Sequence, residues 1–289
     1  MGNDLRNRIA RPTGQQPGTA VAVTADSPLV DQVRAMEDQF ALAMPRGGEA
    51  AQLVRDVLTL LSQNPKLKEC VPSTVLGGAM TMAQLGLRPG VLGHGWLLPF
   101  YDNRAKAMKA QLVIGYLGYV ELINRTGRVS DVGAHAVHVN DEFVLGFVGG
   151  RREFTHRVDW FKPRGELLGW YAAGQVHGAD AVSITDPASV AEMEAHRDRF
   201  AMAKSGGNVV GPWRDNFESM AKKTMVLRLA KLLPKSTELA YAIDADQRVR
   251  VDLTPAGIEH SEPVLDGEVV ADSADVEGQA AGEQTGGDA

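Results

Sequence analysis

The chain reads as an α+β protein, and three observations predict it. Apolar residues recur every three or four positions in several N-terminal stretches, the spacing of one helix face. The pattern then changes to short runs rich in aromatic and branched residues at 95–116 and again between 129 and 185. Finally, Gly211–Lys235 returns to the helical spacing and is the longest such pattern. The expected architecture is a set of N-terminal helices, a β-hairpin and further antiparallel strands, all packed against a long basic C-terminal helix.

Residues 1–27 are rich in Gly, Pro, Thr, Gln and Arg and lack periodicity, so they are expected to be disordered. Leu29, Val33, Met36 and Phe40 predict a helix from Leu29 to Met44, broken by Pro45-Arg46-Gly47-Gly48. Leu53, Val57, Leu60 and Leu61 predict a second over Glu49–Ser62. A third opens with Ser73 as N-cap and closes at Gly86, whose left-handed conformation lets Leu87 pack back. Two strands follow, Gly95–Tyr101 and Gln111–Tyr116. The polar loop between them carries Arg104, Lys106 and Lys109, so the hairpin has a basic tip, either solvated or gripping a polyanion. Leu117–Thr126 returns to helix and ends at Gly127. Strands are expected at about 129–139, 143–148, 151–158 and 167–185. Asp186-Pro187 then reads as the start of a charged helix reaching about Lys204.

The last helix begins at Gly211-Pro212 and stops at Pro234, which gives a rod of roughly 33 Å. Val226, Leu229 and Leu233 share one side, with Trp213 and Phe217 as further core candidates. Arg228, Lys231 and Lys235 fall on roughly the opposite side. A solvated amphipathic face is the usual meaning of such a ladder. A row of phosphate contacts is the sharper one. Lys222 lies towards the apolar side by helical angle, so it either snorkels or reaches out between helix and hairpin.

The net charge of −6 hides an asymmetry: from Asp244 onwards there are twelve acidic residues against Arg248 and Arg250. The preceding residues are net basic. A basic body with an acidic tail is a charge layout of nucleic-acid binders. The single Cys70 excludes an internal disulfide and a cysteine zinc site. No apolar run is long enough to span a bilayer and no signal-peptide core opens the chain, so a cytoplasmic protein is expected. The core is expected at 28–245 and an acidic disordered tail at 246–289.

Catalytic patterns are missing. GxxxxGK[ST], GxSxG and HExxH do not occur, and Gly93-His94-Gly95 lacks the rest of a dinucleotide fingerprint. None of the ten Lys residues follows an acid or Gln by two positions, the spacing many metal-dependent nucleases use. Asp141 and Glu142 sit in a turn context. His135 and His138, three apart on a strand, are expected to point to opposite faces and make a poor metal site. A non-enzymatic protein without a cofactor is expected. A metal-dependent nuclease with an unread site and a phage structural or assembly oligomer stand as alternatives.

Four segments, in order, resemble the RecT family of phage and prophage recombinases. They are Asn64-Pro65 through Gln84-Leu85-Gly86-Leu87-Arg88-Pro89-Gly90; Gly93-His94 with Leu97-Leu98-Pro99-Phe100; Gln111–Tyr116 with Gly118; and Gly211-Pro212-Trp213 with Met220-Ala221-Lys222-Lys223-Thr224 and Leu232-Leu233-Pro234. The resemblance covers about 50–245. It implies an annealing-protein core that binds single-stranded DNA without ATP and anneals complementary strands through a duplex intermediate. It also implies homo-oligomeric rings or helical filaments, with a phage exonuclease or host single-strand-binding protein as partner and Mg²⁺ at most as a modulator. On this reading Lys222, Lys223, Arg228, Lys231, Arg125, Lys109 and Lys106 contact DNA. Tyr116 is either a core aromatic or a stacking platform. The family often places a basic residue where this chain has Leu117, so Arg125 or the 104–109 loop is expected to compensate. The acidic tail shields the groove, docks a partner, or only solubilises.

Overall fold

A computed structural model describes residues 28–90, 92–149, 151–201 and 208–246, together with three dipeptide strands at 248–249, 262–263 and 267–268. It is an α+β fold. The first helix is interrupted at Met36, giving α1 (Pro28–Ala35) and α2 (Glu37–Ala43). Next come α3 (Ala50–Gln63), a single 3₁₀ turn (Pro65–Glu69) and α4 (Pro72–Leu85). Pro72 rather than Ser73 opens α4, with its fixed φ suited to the first helical position. Small residues let α4 run through the core. A Cβ on Gly78 would meet Leu97 at 2.4 Å. At its end Gly86 adopts φ +58°, and the Leu87 N–H donates to the Met82 carbonyl at 3.0 Å. That closes the helix as expected, with Leu87 fully buried.

The hairpin β1 (Gly95–Asp102) and β2 (Ala107–Ile114) is antiparallel from Gly95–Ile114 at its root to Asp102–Ala107 at its tip. α5 (Tyr116–Arg125) follows directly. Then come β3 (Val129–His138), a hairpin of β4 (Glu142–Val148) and β5 (Arg151–Arg157), and β6 (Leu167–Val176). The expected strand 167–185 ends at Val176 and turns back. β7 (Ser183–Ile184) and β8 (Ala188–Ser189) both pair with β6, and β3 forms the opposite edge of this sheet. Alternation sorts its two faces. Trp170 and Ala172 belong to the main core, while Tyr171, Ala173 and Val137 pack against Phe143, Leu145 and Phe154 of the β4–β5 hairpin. α6 (Val190–Phe200) starts later than Asp186-Pro187. Ser189 caps it, accepting the Glu192 N–H while Glu192 reaches back to the Ser189 N–H.

The expected long helix is two helices. α7 (Pro212–Asp215) ends at Asn216, where φ −138° and ψ 52° leave the helical region, and α8 (Phe217–Ala230) begins beyond it. α8 is central rather than one-sided. It packs on β6 and β3 and also on α5, so Ala221, Lys223, Thr224, Met225, Val226, Leu229 and Ala230 are all buried. Trp213, Val226, Leu229 and Leu233 join the core as expected, with Phe217 packed against it. α9 (Thr237–Ala245), capped by the Ser236 hydroxyl, leads to β9 (Arg248–Val249). β10 (Glu262–Pro263) pairs with β9, and β11 (Gly267–Glu268) pairs with Tyr101 and Asp102 on the free edge of β1. Asp246 and all three dipeptides fall in the stretch expected to be disordered; the rest of that tail, like residues 1–27, lies outside the described residues.

Candidate nucleic-acid interface

The motif glycines make a tight junction at the root of the hairpin. A Cβ on Gly115 would meet the Gly93 carbonyl oxygen at 2.3 Å, and one on Gly118 would meet the His94 carbonyl oxygen at 2.3 Å. The Gly115 N–H donates to that His94 carbonyl at 2.9 Å. The junction fixes where α5 starts, and therefore where Tyr116 and Leu117 stand. Leu117, Leu92 and Trp96 are partly exposed around it.

Lys222 lies near this start. Its Nζ sits 5.9 Å from the Tyr116 ring centroid and 2.7 Å from Glu218 Oε1. Tyr116 is half-buried against the core, so it both packs and offers one face to the cation. Lys222 also lines an open cleft of about 470 Å³ beside β3, shared with His135, His138, Trp160, Arg164 and Tyr171. A register shift between Val137 and His138 overrides strict alternation. Both histidines therefore line the same cleft instead of facing apart.

A polar network builds the cleft floor. The Asp141 side chain is covered and accepts from Arg164 Nε at 3.0 Å and Nη2 at 2.6 Å, from the His138 N–H at 2.8 Å, and pairs with His156 Nε2 at 3.1 Å. The Arg164 guanidinium, with the two histidine contacts, holds the Asp141 carboxyl well below the usual carboxylate range. His156 Nδ1 meets the Tyr171 hydroxyl at 2.9 Å, and His135 stacks on Tyr171 at 5.2 Å. Burial lowers the His135 pKa and pushes the Tyr171 hydroxyl up to about 12. Asp141 is thus spent on Arg164 and His156. Among the described residues no cluster of three His, Cys, Asp or Glu side chains is placed to hold a metal ion. Cys70 is buried, and burial raises its thiol to about 12, far from a reactive thiolate.

The other expected DNA contacts are dispersed. Lys223 is buried: its Nζ lies 2.6 Å from Asp246 Oδ2 and 5.8 Å from the Tyr119 ring centroid. Asp246 also accepts the Ile114 N–H at 2.6 Å, so Lys223 joins α8 to β2 through this carboxylate and is not offered at the surface. Arg125 caps the end of α4, donating to the Leu85 and Gly86 carbonyls at 2.6 and 3.2 Å and to Glu121 at 3.1 Å. Its guanidinium is committed to those carbonyls, which leaves little of it to compensate for Leu117. Lys109 pairs with Asp102 at 2.9 Å near the hairpin tip. The N–H of Ala105, followed by Lys109, lowers the Asp102 carboxyl to about 2. Lys106 and Arg104 are exposed at the tip, Lys106 with φ +49°. Arg228 and Lys231 are exposed at the far end of α8. Six residues separate Lys222 from Arg228, about 240° around the helix. They do not share a face.

Sequence reasoning named Lys222, His135 and His138 but missed Trp160 and Arg164 of the cleft lining and the turn that joins them. Arg157, Trp160, Phe161, Lys162 and Arg164 alternate aromatic and basic character within eight positions, a signal for single-strand binding surfaces.

The RecT family model matches residues 51–258. The chain is 31% identical to Protein RecT of Escherichia coli (strain K12), over 83% of this chain and 88% of that protein. It is 25% identical to the uncharacterized protein YqaK of Bacillus subtilis (strain 168), over 87% of this chain and 81% of that one. Matched by the family model over more than half of its length and 31% identical to a member, the chain belongs to the RecT family, whose members bind DNA and anneal single strands in recombination.

Proposed function

We propose that this protein anneals complementary single strands without ATP, working as a homo-oligomer, and that the Tyr116–Lys222 surface with its adjoining cleft receives the strand. The observation that carries the reading is the convergence on one side of the fold of a lysine, a half-exposed tyrosine and an arginine-backed tryptophan. Cations neutralise phosphates without reading sequence, and aromatic faces accept any base. The base edges stay free for pairing. Stacking in the new duplex, at about 1.4 kcal/mol per step, supplies the driving force, so no nucleotide hydrolysis is needed.

Lys106, Arg104, Arg228 and Lys231 sit elsewhere on the protomer. In this reading they serve the same strand from neighbouring subunits, or the second strand. Contact between unlike surfaces closes rings or extends helices. Mg²⁺ modulates the polyelectrolyte term only. Action in the cytoplasm beside an exonuclease or a single-strand-binding protein fits the same reading. Among the described residues no helix is long and apolar enough to cross a membrane.

The test is an annealing assay with two fluorescently labelled complementary oligonucleotides, without ATP, in Mg²⁺ and in EDTA. Acceleration over the spontaneous rate in both buffers is expected, with both strands intact afterwards. No acceleration, or cleavage products in Mg²⁺, overturns the proposal.

A further inference from the structure

We infer that the turn carrying Trp160 and Phe161 is a base-stacking element, which grips single-stranded DNA at the mouth of the Lys222 cleft. The inference rests on the annealing reading above and adds residues to it.

Trp160 is 78% exposed and Phe161 is 99% exposed. Two adjacent large aromatics in water contribute nothing to the core. Neither belongs to a buried cluster. Yet the turn that displays them is firmly built. The Phe161 N–H donates to Asp159 Oδ1 at 3.2 Å, the Lys162 N–H donates to the Asp159 carbonyl at 3.2 Å, and Lys162 Nζ pairs with the Asp159 carboxylate at 3.0 Å. Beyond the turn, Arg164 is clamped to Asp141 and to the Ala136 carbonyl at 2.8 Å, and its guanidinium lies 5.8 Å from the Trp160 ring centroid. The aromatics are therefore held out on a braced turn.

Their surroundings favour nucleic acid over a second protein surface. Arg157, 3.8 Å from Glu142, and Lys162, paired with Asp159, flank them in exposed ion pairs, their own side chains 78% and 77% exposed. Arg164 lies beneath, and Lys222 lines the same cleft as Trp160. Arg157, Lys162 and Lys222 are held only in partly exposed surface pairs, which are weak, so a phosphate can take them over, whereas an apolar plug for another subunit cannot. A nucleobase with its phosphate needs both parts. A base laid on Trp160 leaves its Watson–Crick edge open, which suits a strand that must still pair.

The experiment uses the full chain with Trp160→Ala, Phe161→Ala, the double variant and Trp160→Phe. Affinities are measured across a salt series for oligothymidylate and for an abasic oligonucleotide of the same length. The size of the DNA-free protein is measured by sedimentation. The double variant is expected to bind oligothymidylate about tenfold or more weakly, with an unchanged salt slope and unchanged affinity for the abasic strand. Trp160→Phe should recover most of the loss at that position. Equal weakening on both strands, or none, overturns the stacking role. A changed DNA-free assembly state that accounts for the loss assigns the turn to a subunit contact, and also overturns it. Failure of the unmodified protein to bind oligothymidylate brings down the annealing reading and this inference together. Normal binding by that protein with unaffected variants removes only the stacking turn.

Discussion

Lys223 and Asp246 form a buried ion pair, 2.6 Å between Nζ and Oδ2, each with 9% of its side chain exposed. The pair ties Asp246 to the folded core, because Asp246 also holds the β2 backbone at Ile114. Asp246, one position beyond the expected boundary at 245, is thus fastened to α8 and β2. Lys223→Ala leaves a buried carboxylate without its cation. The expected loss is about 3–5 kcal/mol in urea unfolding. A loss under about 1 kcal/mol, with weaker DNA binding instead, would return Lys223 to the list of DNA contacts.

Lys222→Ala is expected to behave in the opposite way. Its ion pair with Glu218 is half in solvent, so stability should change by about 1 kcal/mol or less. Affinity for single-stranded DNA should fall, and the slope of log K against log salt should shrink by about one contact. An unaltered slope takes Lys222 off the phosphate path.

Leu117 is 41% exposed beside Gly93 and Trp96. Arg125 is occupied at the end of α4. Leu117→Lys should therefore add a phosphate contact, steepening the salt dependence by about one with little change in melting temperature. Identical binding at low salt would place the strand elsewhere.

Gly118→Ala puts a methyl 2.3 Å from the His94 carbonyl oxygen, a contact that backbone cannot relieve by rotating a side chain. A loss of about 1–3 kcal/mol is expected, read as a lower urea midpoint.

Asp141 gives a pH test. Its folded pKa is depressed, chiefly by Arg164, so its stabilisation is complete above the unfolded value near ~4 and is lost as pH falls through the folded value. Unfolding free energies at pH 7, 4, 3 and 2 should fall steeply below pH 4. Asp141→Asn should start lower at pH 7 and fall less, with Asp102 keeping part of the slope. Parallel curves for the two proteins would count against the network.

The hairpin, α3, α4 with its Gly86–Leu87 close, and α5 were all legible, because periodicity and capping signals there coincide with what the core requires. The long helix was not. Nothing at Asn216 marks a break as Pro or Gly would. α8 packs on more than one side, which removes the contrast that an amphipathic reading depends on. Ala221 and Thr224, not among the expected core residues, are both buried. Lys223 could not be told from Lys222, since its partner lies 23 positions later in a stretch that looked like tail. Trp160 and Phe161 fell between two strand patterns, and only the structure shows that they face water.

The glycine contacts at the hairpin root also have a mechanical meaning. With the Gly93 and His94 carbonyls seated against Gly115 and Gly118, no room remains for a hinge between hairpin and α5. The eight-residue strands run from this junction to the tip, with Tyr116 just beyond their root. The tip residues Arg104 and Lys106 and the Tyr116 ring beside Lys222 thus stand at opposite ends of one hairpin.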